Sequence, residues 1–153
     1  MRRYLFAVAI VALALPTVAG AKGPVSASIS GPGLARSLSI TGNGEGPGTA
    51  LGTLASASGY FAQMFGQVPD PTRAVRPSGT LGPRYTAVYI VPGPNDVRSR
   101  VVQYVYPYAK PVALTFMKPG LTFWTDQQAH GGWYRSLRLK AVLVRAGLPS
   151  RAP

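Results

Sequence analysis

Tyr85-Thr86-Ala87-Val88-Tyr89-Ile90-Val91 and Val101-Val102-Gln103-Tyr104-Val105-Tyr106 decide how this chain folds. Both runs are dense in Val, Ile and Tyr, side chains that fit a pleated, half-buried surface. Pro92-Gly93-Pro94-Asn95-Asp96 lies between them and supplies turn chemistry. The spacing predicts an antiparallel hairpin over 85–91 and 101–106.

The neighbouring segments extend that nucleus. Val112 to Met117 and Leu121 to Trp124 read as a second, shorter strand pair around Lys118-Pro119-Gly120. Upstream, Ser26–Ser30 and Ser37–Thr41 flank the turn-forming Gly31-Pro32-Gly33 and read as a small hairpin. Leu51, Leu54, Ala55, Ser58, Phe61, Ala62 and Phe65 recur at three- and four-residue steps. They mark a helix over 49–65, with Thr49 as N-cap and Gly66 as its stop. Leu139, Val142, Leu143 and Ala146 mark a last helix over 137–146, ended by Gly147 and Pro149. Pro69, Pro71, Pro77 and Pro83 make 67–83 an ordered surface connector. The expected class is therefore α+β, a small antiparallel sheet packed by two helices.

The first 21 residues read differently. Arg2 and Arg3 precede an apolar run from Tyr4 to Leu15, then Pro16 and the small-residue site Ala19-Gly20-Ala21. Charge, apolar stretch and A-x-A site are the order of a secretory signal peptide, cleaved after Ala21. The run is shorter than the roughly 20 residues that span a bilayer. The expected organisation is a leader at 1–21, a strand and loop region at 22–48, the main part of one domain at 49–149, and a tail at 150–153. The expected location is secreted or associated with the cell envelope, with membrane contact only during export.

Composition narrows the chemistry. The chain has no Cys, which excludes disulfides, lipid-modified thiols, thiolate metal sites and cysteine nucleophiles. Its 16 basic residues less Arg2 and Arg3 leave 14 against 4 acidic ones, about +10 for the mature domain. Charge of this size steers polyanions toward a surface. Outside a membrane the expected partners are an anionic cell-wall polymer or an acidic protein surface rather than nucleic acid. The same charge also serves solubility alone. Gly 18 and Pro 15 mark a chain of turns and short elements.

Catalytic and cofactor patterns are weak. The glycine loop at 42–48 fails dinucleotide spacing, because Pro47 stands where a glycine is needed, and it lacks a P-loop Lys. The only carboxylates are Glu45, Asp70, Asp96 and Asp126, too few for a metal centre around the single His130. No metal, cofactor or catalytic residue is assigned. The alternative to a binding protein is a small hydrolase with His130 as base and Asp126 as its orienter, although no G-x-S-x-G elbow presents a nucleophile.

The strongest constellation is Arg98 to Lys110. Side chains alternate across a strand, so Arg98, Arg100, Val102, Tyr104 and Tyr106 share one face. Tyrosine rings suit sugars, and guanidinium groups suit phosphate or carboxylate. Tyr85 and Tyr89 extend this face if the register allows. Periodicity alone does not choose which face is buried, and Pro107 can end the strand before Tyr108. Trp133, after Gly131-Gly132, is a second candidate for binding or a plug for the core.

Gly82-Pro83-Arg84-Tyr85-Thr86, Tyr106-Pro107-Tyr108-Ala109, Gly131-Gly132-Trp133 and the ending Ala146-Gly147-Leu148-Pro149 resemble a pattern in small exported proteins of high-GC Gram-positive bacteria. The resemblance covers about 82–149. It implies export and a shared fold in that half, and no activity or catalytic residue.

Overall fold

The computed structural model describes residues 23–153. The leader expected at 1–21 lies outside them. Among the described residues, eight strands and three α-helices follow one another as β1 (Ser26–Ser30), β2 (Leu38–Thr41), α1 (Ala50–Ser58), α2 (Tyr60–Phe65), β3 (Tyr85–Pro92), β4 (Arg98–Tyr106), β5 (Ala113–Met117), β6 (Thr122–Phe123), β7 (Gln127–Gln128), β8 (Gly132–Ser136) and α3 (Leu139–Arg145). The class is α+β, with an antiparallel sheet of six strands ordered β2-β1-β3-β4-β5-β8. No described helix is long and apolar enough to cross a membrane.

The β3–β4 hairpin is the centre of this sheet. Its register pairs Tyr89 with Val101, Ala87 with Gln103 and Tyr85 with Val105. Odd positions on both strands therefore point the same way, and all of them from Tyr85 to Val91 and Val101 to Val105 are buried. That face meets Leu51, Leu54, Tyr60 and Met64 of α1 and α2, and Leu139 and Leu143 of α3, in one apolar core. Burying a side chain of this size stabilises by about 1.5–3 kcal/mol.

The structure changes four points of the sequence reading. First, the helix expected at 49–65 is two helices. Gly59 breaks it at φ 70 and ψ 23, a left-handed geometry that glycine adopts without steric cost. A Cβ there would stand 2.3 Å from the Tyr134 ring, so the break also admits that ring. Thr49 does cap α1, accepting the Gly52 N–H at 2.9 Å. The carbonyls of Gln63 and Met64 at the end of α2 accept from Gly131 (2.7 Å) and His130 (3.2 Å), which satisfies groups a helix end leaves open.

Second, β5 does not pair with 121–124. It joins β4 on one side and β8 on the other, while β6 pairs with β7 in a separate ribbon. The five-residue β5 finds more partner backbone in the main sheet than the two-residue β6 offers. Third, 132–136 is a strand. Gly131 and Gly132 at φ 74 and 97 hide it from pattern reading, because a positive-φ glycine pair looks like a turn. The last helix is also shorter than 137–146: Ser136 Oγ accepts the Leu139 N–H at 3.1 Å and starts the helix there, leaving Leu137 91% exposed.

The proline-rich connector is ordered over the surface. Arg73 exchanges both backbone hydrogen bonds with Trp133 (2.9 and 2.8 Å) on the outer edge of β8. Thr80 accepts from the Lys110 N–H at 2.8 Å. Leu81 then packs against Tyr106, Ala109 and Leu114.

Candidate functional site: the sheet face opposite the helices

The helices cover one face of the sheet only. The other carries Val88 and Ile90 of β3, Arg98, Arg100, Val102, Tyr104 and Tyr106 of β4, Leu114 and Phe116 of β5, and Trp133 and Arg135 of β8, as the registers require. Register pairs Tyr104 with Phe116 and Phe116 with Trp133. Three aromatic side chains from three adjacent strands thus form a row.

The row is continuous. Tyr104 and Phe116 rings lie nearly parallel with centroids 6.5 Å apart. Phe116 and Trp133 centroids are 4.8 Å apart, and Tyr106 meets Trp133 at 5.8 Å. All of Tyr104, Phe116 and Trp133 are half-buried. The Arg84 guanidinium sits 4.8 Å above the Tyr104 ring, within the range of a cation–π contact. Arg98, Arg100 and Arg135 are exposed on the same face. Among the described residues the one ion pair joins Asp70 and His130, so no carboxylate neutralises these guanidinium groups.

Every residue expected at the binding surface is therefore on one face. Tyr104 is half-exposed, with Arg98 and Arg100 farther along the same strand toward the β3–β4 turn. Tyr106 is only 8% exposed, because Leu81 of the connector and the Trp133 ring cover it. It supports the row from below. Trp133 belongs to this face and does not plug the helix-side core. Phe116 and Arg84 complete the surface and escaped sequence reading. Phe116 sits in a run with no polar alternation, and Arg84 precedes its strand.

Tyr85 and Tyr89 do not extend the face. The register turns both to the helix side, where they are fully buried. Tyr108 lies beyond the end of β4 and packs on Tyr85, with centroids 6.1 Å apart.

Beneath the helices lies a buried polar network. The kink at Gly59 leaves the Ser58 carbonyl facing the sheet, where Gln103 Nε2 (3.0 Å) and Thr115 Oγ1 (2.8 Å) donate to it. Tyr89 donates to Gln103 Oε1 (3.1 Å) and lies 3.1 Å from the Ser58 hydroxyl. Gln63 Nε2 donates to the Gly132 carbonyl at 2.7 Å. Burial pushes the Tyr89 hydroxyl up to about 12, and it pushes Tyr60 higher still. Ser58, Gln63, Tyr89, Gln103 and Thr115 satisfy one another in the core, so the network joins helices to sheet, while the buried Tyr60 hydroxyl stands outside it without a hydrogen-bond partner.

The expected His130–Asp126 pair is not formed. His130 Nε2 lies 2.8 Å from Asp70 Oδ2, and Asp126 accepts from its neighbour Gln127. The Asp70 carboxyl is held below the usual range, first by the Thr72 backbone N–H, then by the Thr72 hydroxyl and His130. His130 and Asp70 are 44% and 43% exposed, a solvated pair on the surface. Among the described residues no three His, Asp or Glu side chains gather as a metal site. Comparison with known proteins returns no family model, no curated protein and no solved structure that matches this chain.

Proposed function

We propose that this protein is an exported, cationic binding module of the cell envelope, and that the open sheet face binds an anionic cell-wall polymer. The observation that carries the reading is the row Tyr104–Phe116–Trp133 with Arg84 over it, and Arg98, Arg100 and Arg135 on the same face, none of them paired with a carboxylate. Flat rings in a row accept sugar faces, and guanidinium groups accept the polymer's phosphates or carboxylates in bidentate fashion. An acidic protein surface would use the cations but has less need of a row of three aromatic rings. Export is the compartment implied by the leader at 1–21 and gives the polymer as the abundant anion. The hydrolase alternative draws no support from His130, whose imidazole is bonded to the exposed Asp70 carboxylate and to no hydroxyl that could serve as nucleophile.

The test is sedimentation of the protein with purified anionic wall polymer at low and physiological salt. Arg98→Ala with Arg100→Ala should weaken binding about tenfold or more and flatten its salt dependence, and Trp133→Ala should act independently of salt. Unchanged binding in the double variant, or binding only to acidic proteins, overturns the assignment.

A further inference from the structure

A second cationic site lies at one end of the molecule, apart from the open sheet face. A cleft of about 450 Å³ opens between the β4–β5 loop, the start of α3 and the tail. Lys110, Lys140 and Arg151 line it, with Tyr108, Ser136 and Ser150. No carboxylate lines it, and none of the three cations belongs to the one ion pair of the described residues. Like charges repel. Three cations lining one concave site without a counter-charge raise the local potential and concentrate anions there.

The walls are built to hold these groups. Tyr108 donates to the Pro149 carbonyl, which ties the tail carrying Arg151 to the loop carrying Lys110. Lys140 lies 5.3 Å over the Tyr108 ring. Thr80 fixes the Lys110 backbone from the connector. Ser136 Oγ accepts the Leu139 N–H, which leaves its own hydrogen free to donate to an occupant.

We infer that this cleft binds a phosphoryl group, free or carried on a larger molecule. A doubly charged tetrahedral oxyanion matches three cations better than a single carboxylate does. The Arg151 fork takes two of its oxygens, and the lysines act as point charges on the rest. The volume lies in the range of small-ligand sites. This inference does not depend on the open-face reading, because the two surfaces share no residue.

Calorimetric titration of the full chain with inorganic phosphate at low ionic strength tests it, alongside vesicles of phosphatidylglycerol and of phosphatidylcholine. Saturable phosphate binding is expected, weakened about tenfold or more by Lys140→Gln with Arg151→Gln (~1.4 kcal/mol). Both side chains are exposed, so the fold survives, as an unchanged thermal melt will verify. Arg98→Gln with Arg100→Gln should leave phosphate affinity unaltered. Binding to phosphatidylglycerol vesicles alone, lost in the Lys140/Arg151 variant, assigns the site to a lipid headgroup. Absence of saturable binding to either probe, or equal affinity in that variant, overturns the inference. Failure here leaves the open-face experiment untouched, and the reverse also holds.

Discussion

Gln103 and Tyr104 are neighbours on β4, and they face opposite sides of the sheet. Gln103 is fully buried under the helices and bonded to the Ser58 carbonyl, Gln63 and Tyr89. Tyr104 lies half-exposed among aromatic rings and cations on the other face. The polar residue is inside and the aromatic one is at the surface, the reverse of a simple hydropathy sort. The difference teaches that burial alone does not mark the two faces of this sheet. One face spends its polar groups on each other, and the other leaves its cations without partners.

The comparison breaks most readily at the helix side. Gly59→Ala should cost about 2–5 kcal/mol, from left-handed strain and from the clash with Tyr134. Denaturant unfolding measures it. A near-neutral result would mean that the α1–α2 break is not what seats the helices on the sheet.

A sharper version uses the adjacent pair. Gln103→Leu should lose about 1–3 kcal/mol, because it strips donors from Ser58 and Gln63 and an acceptor from Tyr89. Tyr104→Ser should lose at most about 1 kcal/mol of stability, since its ring is partly solvated already. Equal costs for the two would erase the distinction between the faces.

The smallest expected effect is a pH slope. The Tyr89 hydroxyl is raised to about 12 in the fold, against about 10 in an unfolded chain. The folded state therefore holds that proton more tightly. The stability it contributes is complete below pH 10 and is lost as pH climbs from 10 through 12. The slope reaches at most about 1.4 kcal/mol per pH unit for this one group. Tyr89→Phe should remove that component, read as the difference between the two alkaline unfolding series. Parallel series would show that the hydroxyl titrates freely and is not sealed in the core. The open-face Tyr104→Phe should leave the slope as it is.

The sequence alone reaches much of the fold. Dense β-branched and aromatic runs around a Pro-Gly turn specify the β3–β4 hairpin, and the Ser-rich β1–β2 pair is visible beside Gly31-Pro32-Gly33. The stripe from Leu51 to Phe65 is legible as helix, but its break at Gly59 is not. A single glycine is tolerated inside a helix, and the ring of Tyr134 that demands the break comes from 75 positions away. The strand at 132–136 is hidden for a related reason, since its two leading glycines resemble a loop until the Arg73 and β5 backbones lie against it.

Of the candidate site, Arg98, Arg100, Tyr104, Tyr106 and Trp133 are legible as residues, and the alternation of β4 places four of them together. Chemistry in the chain determines that a cationic, aromatic strand exists within an α+β framework. Only the tertiary structure decides which side of that strand is solvated. Period-2 alternation fixes which residues share a face, yet it is symmetric with respect to inside and outside. The helices break that symmetry by packing against Tyr89 and Gln103, and so leave Tyr104, Phe116 and Trp133 to the solvent.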